Sequence, residues 1–407
     1  MSWNGNTAKR QWAVAGLAAL TVAVLACSSP TADVTASELE AVVESDAIII
    51  DDAVPDVVVN RLADNRVVLL GETHHLREHW EFVAALVARL YDRGFRQLLI
   101  EAPHMASWLI DDYVQGSRRM PDWKPPPFYE RRLTAIRDFN QTATAAADPI
   151  HVRGIDANEN FYGGARDFHL VLGWFADTLP TRGPLTPFLD GGYVDAGAPE
   201  QQQAIDDLIE SIESSRDDLV DSWGLDRYEE LVELLTVELA SIDVRAKRAD
   251  DDNDGARARE DVIKRLVDQR VVDCSCGTVI NIGGHHAQKS HLMGTKQEWL
   301  GDYLVNSSGA VDGSIIVIEF ASAVTELEPG AGGTPWNIVE SNSPDNEVFR
   351  LLAETLPDHT VFLPLDDPIF SERTIAFNSE DVIYVTPLRQ QYDALIQYGL
   401  AHRMPVD

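Results

Sequence analysis

Short, mainly apolar runs that each break off into acids or histidines constrain this chain more than any other feature. Val67–Leu70 runs into Gly71-Glu72-Thr73-His74-His75, and Gln97–Ile100 runs into Glu101. His151–Ile155 ends in Asp156, and Thr278–Ile282 runs into Gly283-Gly284-His285-His286. Ser314–Phe320 and Thr360–Leu365 are two more runs of the buried type. Runs without polar alternation read as strands covered on both faces. Between them the apolar spacing is helical. Phe82, Val83, Leu86, Val87 and Leu90 form one stripe, and Gly94 closes that helix. Met105–Val114 and Arg131–Ala147 read as further helices. The alternation predicts an α/β fold with a mainly parallel β-sheet covered by helices on both faces. A long acidic block, about 165–265, has helical patterns throughout and reads as a helical insertion or cap. No repeat of solenoid period is present.

Ligands of such sheets bind beyond the carboxyl ends of the strands. The residues delivered to that rim are Glu72, His74 and His75, then Glu101, then Asp156, then His285 and His286. Imidazole can act as base, acid or metal ligand near neutral pH. Carboxylates orient it or complete a metal shell, and Asp156 is placed to fix an imidazole tautomer. Two segments share a Gly-x-x-His spacing, Gly71 to His74 and Gly283 to His286. Both glycines are expected to let the backbone turn tightly at the strand end. Adjacent histidines alternate faces, so one of each pair is expected to turn away and pack. The bland alternative is that all of them are structural.

The segment GETHHLREHWEFVAALVARLYDRGFRQLLIEAP resembles the erythromycin esterase–like proteins and the wider group that includes the ChaN-type haem-uptake and TraB/Tiki proteins. Arg137-Asp138-Phe139-Asn140, the Gly-x-Asp end of His151–Asp156, an Arg/Glu-rich helix at Ala256–Asp268 and Met293-Gly294 extend the likeness. It covers roughly residues 65–160 and 255–305. The resemblance implies hydrolysis. In the esterases a histidine of the first motif is the base that activates water on a macrolide lactone. In the Tiki branch the two Gly-x-x-His histidines and a glutamate hold a divalent metal for peptide hydrolysis. Carried over, those ligands are His74, Glu101 and His286. The esterase motif has three steps from Glu to His, which selects His75, whereas Gly-x-x-His selects His74. Glu72, His74, His75, Glu101, His285 and His286 are therefore the candidate catalytic residues. Ester or lactone is the first expected bond and peptide the second. The ChaN branch implies a competing reading, a haem- or metal-binding protein without turnover, but no residue of it transfers.

The N-terminus carries a separate message. Lys9 and Arg10 precede the charge-free run Ala13–Ala26, which is short for a membrane span and suits a signal-peptide core. Val24-Leu25-Ala26-Cys27 resembles a bacterial lipobox. Residues 1–26 are read as a lipoprotein signal peptide, Cys27 as the lipidated residue, 27–45 as a tether, and 46–407 as the α/β domain. Ser28 after the cysteine favours the outer membrane. The formal charge is −33, or −35 without Lys9 and Arg10. Such a chain repels nucleic acid and anionic lipid head groups, and an acidic surface names no substrate; a small molecule or peptide is what the resemblance implies. Cys274 and Cys276 are expected to be free thiols or a weak pair. Asp250, Asp252, Asp254 and Gly255 match the first half of an EF-hand loop, which would take calcium. Position eight is Arg257 and position twelve Asp261, where that loop expects an apolar residue and a glutamate.

Overall fold

The computed structural model describes residues 36–405 except 52, 117–122, 126, 143, 160–163, 341–343 and 381. Residues 1–26, expected to be a signal peptide, and Cys27 lie outside the described residues. The strands are β1 (Ile48–Ile49), β2 (Val67–Glu72), β3 (Phe95–Pro103), β4 (His151–Asp156), β5 (Gly277–Gly283), β6 (Ile315–Leu327), β7 (Trp336–Asn337), β8 (Val361–Pro364), β9 (Thr374–Ser379), β10 (Val382–Pro387) and β11 (Ala394–Arg403). The main sheet runs β1-β8-β11-β6-β2-β5-β3-β4, with β7 on β6 and with β9–β10 a separate hairpin. From β11 to β4 every neighbour is parallel. β1, β7 and β8 pair antiparallel.

The apolar runs explain the layers. Val67 and Leu69 join one core with Ile280, Ile282 and Val317. Val68 and Leu70 join the other with Val279, Ile316 and Ile318. Successive residues of a strand face opposite sides, so an unbroken apolar run needs cover on both. The helices between β4 and β5 enclose a core of their own. Phe168, Phe175, Leu231 and Leu235 meet Met105 and Trp108 from behind β3 there. The last helix of that block, Asp252–Asp273, leads back into β5.

Two expectations need correction, and one with two alternatives is decided. Residues 36–45 do not behave as a tether: Ala36–Asp46 is a helix whose Leu39 and Val43 are buried. Their i,i+4 spacing makes an apolar stripe even in an acidic segment. Of the two alternatives for Cys274 and Cys276, free thiols or a pair, the structure has the pair, with Cα atoms 5.1 Å apart. The Asp250–Gly255 segment is no calcium loop. Asp250 ends one helix, and the Asp251 carboxylate caps the next by accepting from the Asn253 and Asp254 amides. Asp252 and Asp254 then sit in the first turn, where the helix dipole favours acids. Gly255 lets the two helices touch, since a Cβ there would lie 2.4 Å from Arg248 Cβ. Among the described residues no helix is long and apolar enough to cross a membrane.

Candidate active site

Strands β2, β5 and β3 lie side by side, and their carboxyl ends bring the expected groups together. Glu72 is in register with Gly283. Beyond it the chain turns through His75, which holds a left-handed φ of 68°. That conformation is uncommon for a residue with a Cβ and is enriched at functional sites. The turn leaves His74 bonded to Glu72: His74 Nδ1 donates to Glu72 Oε1 at 2.9 Å. The carboxylate can only accept, so Nδ1 carries the proton and Nε2 is the free basic nitrogen. Glu72 is itself held. Its Oε2 accepts from Asn281 Nδ2 at 2.5 Å, and Asn281 Oδ1 accepts from His79 Nε2 at 2.8 Å. Burial holds His79 down at about 4, so it is neutral at physiological pH.

His286 forms a matching pair. Its Nδ1 lies 2.6 Å from Glu260 Oε2, and Glu260 Oε1 accepts the Leu300 amide at 2.6 Å. Both paired histidines turn their Nε2 atoms towards Glu101, at 4.0 Å for His74 and 3.8 Å for His286. Those separations are too long for hydrogen bonds. Glu101 instead accepts from Arg259 Nη2 at 2.5 Å and from the Gly283 amide at 2.7 Å. Arg259 also grips Asp156 through Nε and Nη2, each at 2.7 Å. Asp156 thus anchors an arginine rather than fixing a histidine tautomer.

The charges follow from these partners. The Glu72 hydrogen bond raises His74 above its ordinary value, against the opposing effect of burial. Burial depresses His286, but the Glu260 charge and hydrogen bond, with Glu101, raise it overall. Burial pushes Glu101 up, yet the charges of His286, Arg259 and His74 and the Gly283 amide hold it well below the carboxylate range. His75 and His285 are lowered, mainly by burial. His285 keeps an edge open to solvent, but the rings of Trp299 and Phe377, 6.1 Å away, strip water from its flanks. One histidine of each adjacent pair therefore meets a carboxylate inside the site.

A metal shell of His74, Glu101 and His286 does not fit this arrangement. Arg259 and the Gly283 amide already take the Glu101 carboxylate. Among the described residues no group of three His, Cys, Asp or Glu side chains is spaced to hold a metal ion.

Arg259, Glu260, Asn281 and His79 escape the strand-end rule, because they lie on helices or inside a strand. A signal existed for Glu260. It falls on the stripe of Ile263, Val267 and Val271, and a charge on an apolar face needs a buried partner. Beside the site, Ala102 and Pro103 directly follow Glu101 and line a mostly apolar cleft of about 390 Å³ with Met105, Tyr129 and Trp174. The Tyr129 hydroxyl donates to the Glu101 carbonyl at 2.7 Å.

No protein-family model matches the chain, and no curated protein sequence does. Solved structures do. A Bacillus cereus protein has a TM-score of 0.66 at 13% identity, covering 91% of this chain and 99% of that one. A succinoglycan biosynthesis protein scores 0.63 at 14% identity, covering 91% and 98%. A mutant of the erythromycin esterase EreC, in its open conformation, scores 0.61 at 15% identity, covering 86% and 95%. The fold expected from the erythromycin esterase–like resemblance is the fold of this chain.

Proposed function

We propose that this chain is a hydrolase of esters or lactones in which His74 is the base. The observation that carries the reading is the pair of facing dyads, Glu72–His74 and Glu260–His286. His74 Nε2 takes a proton from water as that water attacks the substrate carbonyl carbon. Glu72 balances the imidazolium that forms. His286, whose protonated form Glu260 favours, donates from Nε2 to the developing oxyanion and then to the leaving oxygen as the C–O bond breaks. The products are one acid and one alcohol. Arg259 holds Glu101 and Asp156 in place beside the two imidazoles. Lipidation at Cys27 would hold the site at the cell envelope, on the outer membrane, facing substrates outside the cytoplasm.

Purified protein assayed on p-nitrophenyl esters and simple lactones tests this reading. The expected result is turnover that survives chelation by EDTA. Expressed with its own N-terminus, the chain should enter the detergent phase on Triton X-114 partitioning. A Soret band on adding haemin, with no hydrolysis under any added divalent metal, would overturn the hydrolase in favour of a haem-binding protein.

A further inference from the structure

Glu319 lies on β6 in register with Gly71 of β2. It is the one acid in the run Ile315–Phe320. Its carboxyl is wedged between the two turns that carry the paired histidines. A Cβ on Gly71 would lie 2.5 Å from Glu319 Oε2, and a Cβ on Gly284 would lie 2.8 Å from Oε1. The same Gly71 Cβ would meet Ala287 Cβ at 2.9 Å and Gly284 Cα at 3.1 Å. The ends of β2 and β5 are therefore packed around this one side chain, with only hydrogen atoms as spacers.

The residue is half-buried, but Oε2 is sealed from solvent and has no hydrogen-bond partner. β2 presents Gly71 and the following turn presents Gly284, neither of them titratable. Glu72, next along β2, is committed to His74 and Asn281, and His286 to Glu260. The titratable group that meets Glu319 is Tyr392, whose hydroxyl acts on the carboxyl and donates to the Gly284 carbonyl at 3.4 Å. Asp393, the next residue, is turned to the Val317 amide and Lys289. Among the described residues no cation and no backbone N–H compensates a charge on Glu319, so the acid form is the one this site accommodates.

We propose that Glu319 is a positioning residue that, as the neutral acid, sets the spacing of the His74 and His286 turns. Ionised, it would place an uncompensated charge between Gly71 and Gly284 and part the turns. Burial pushes this carboxyl up to about 8, which places the step at mildly alkaline pH. The inference rests on the histidine pair being the working site, as proposed above.

The test is an NMR pH titration of the His74 and His286 imidazoles in wild type and E319Q, with H74A and H286A for assignment. In wild type both imidazoles are expected to report their own protonation and, in addition, a shared alkaline step with one midpoint. E319Q should lose the shared step and keep the individual ones. A shared step that persists in E319Q, or is absent from wild type, overturns the proposal. If E319Q does not fold, Y392F takes its place. Tyr392 lowers the carboxyl, so losing its hydroxyl should move the shared step to higher pH, and an unmoved midpoint overturns the proposal. These readouts need no turnover. A shared step in a protein that cleaves no ester would sink the hydrolase reading and leave the positioning role standing.

Discussion

H74A is expected to lower ester turnover by about 10²- to 10⁴-fold, the usual worth of a positioned general base. The chain should stay folded. The His74 ring is about half exposed, at 49%, so its loss opens no core cavity. The effect should fall on kcat more than on KM, because Nε2 acts on water rather than holding the ground state. H75A and H285A are the controls. Neither side chain is bonded to Glu72 or Glu260, and each substitution should change turnover by no more than a few-fold. Steady-state kinetics on one ester, with circular dichroism of each variant, checks the set. A large loss in H75A with little in H74A would move the base to the neighbour that the esterase spacing selects.

R259M is expected to carry the largest stability cost. Arg259 joins Glu101 on β3 to Asp156 on β4, and its removal leaves two poorly exposed carboxylates facing each other. Breaking a fully buried ion pair costs about 3–5 kcal/mol. The side chains here retain 21%, 14% and 11% exposure, so a discounted figure of about 2–4 kcal/mol is appropriate. The sign of the pH dependence follows from Glu101. Its folded pKa is depressed, so its contribution is present above the ordinary carboxylate value and lost as pH falls through the folded one. Urea unfolding should show the gap between wild type and R259M shrinking as pH drops below about 4, near the ordinary carboxylate value. R259K should recover part of the loss, because an ammonium keeps the charge and forfeits the two-pronged grip.

The sheet was legible because unbroken apolar runs can only be strands covered on both faces. The rim was legible because acids and imidazoles followed those runs. The choice between His74 and His75 was not. It depends on a left-handed turn at His75, and no spacing rule encodes that turn. The glycines were read for the wrong reason. Neither Gly71 nor Gly283 has a positive φ. They are needed because other groups press on them: a Cβ on Gly283 would lie 2.8 Å from His74 Nε2. The Asp250–Gly255 pattern misled because alternating acids serve a helix start as readily as a calcium loop, and only backbone geometry separates the two. Arg259 and Glu260 were hidden by distance. They come from a helix about a hundred residues beyond β4, and a local pattern cannot say which strand end such a helix will cover. Glu319 was visible as a lone acid in Ile315–Phe320, but its neighbours were not.

The most direct test of the Glu72–His74 dyad is the acid limb of the pH–rate profile in wild type and E72Q. Glu72 raises His74, and the base form is the neutral one. The wild-type limb should therefore lie above the ordinary histidine value of 6.5. In E72Q it should move to lower pH, with a reduced plateau. A limb that stays in place when Glu72 loses its charge would contradict the account.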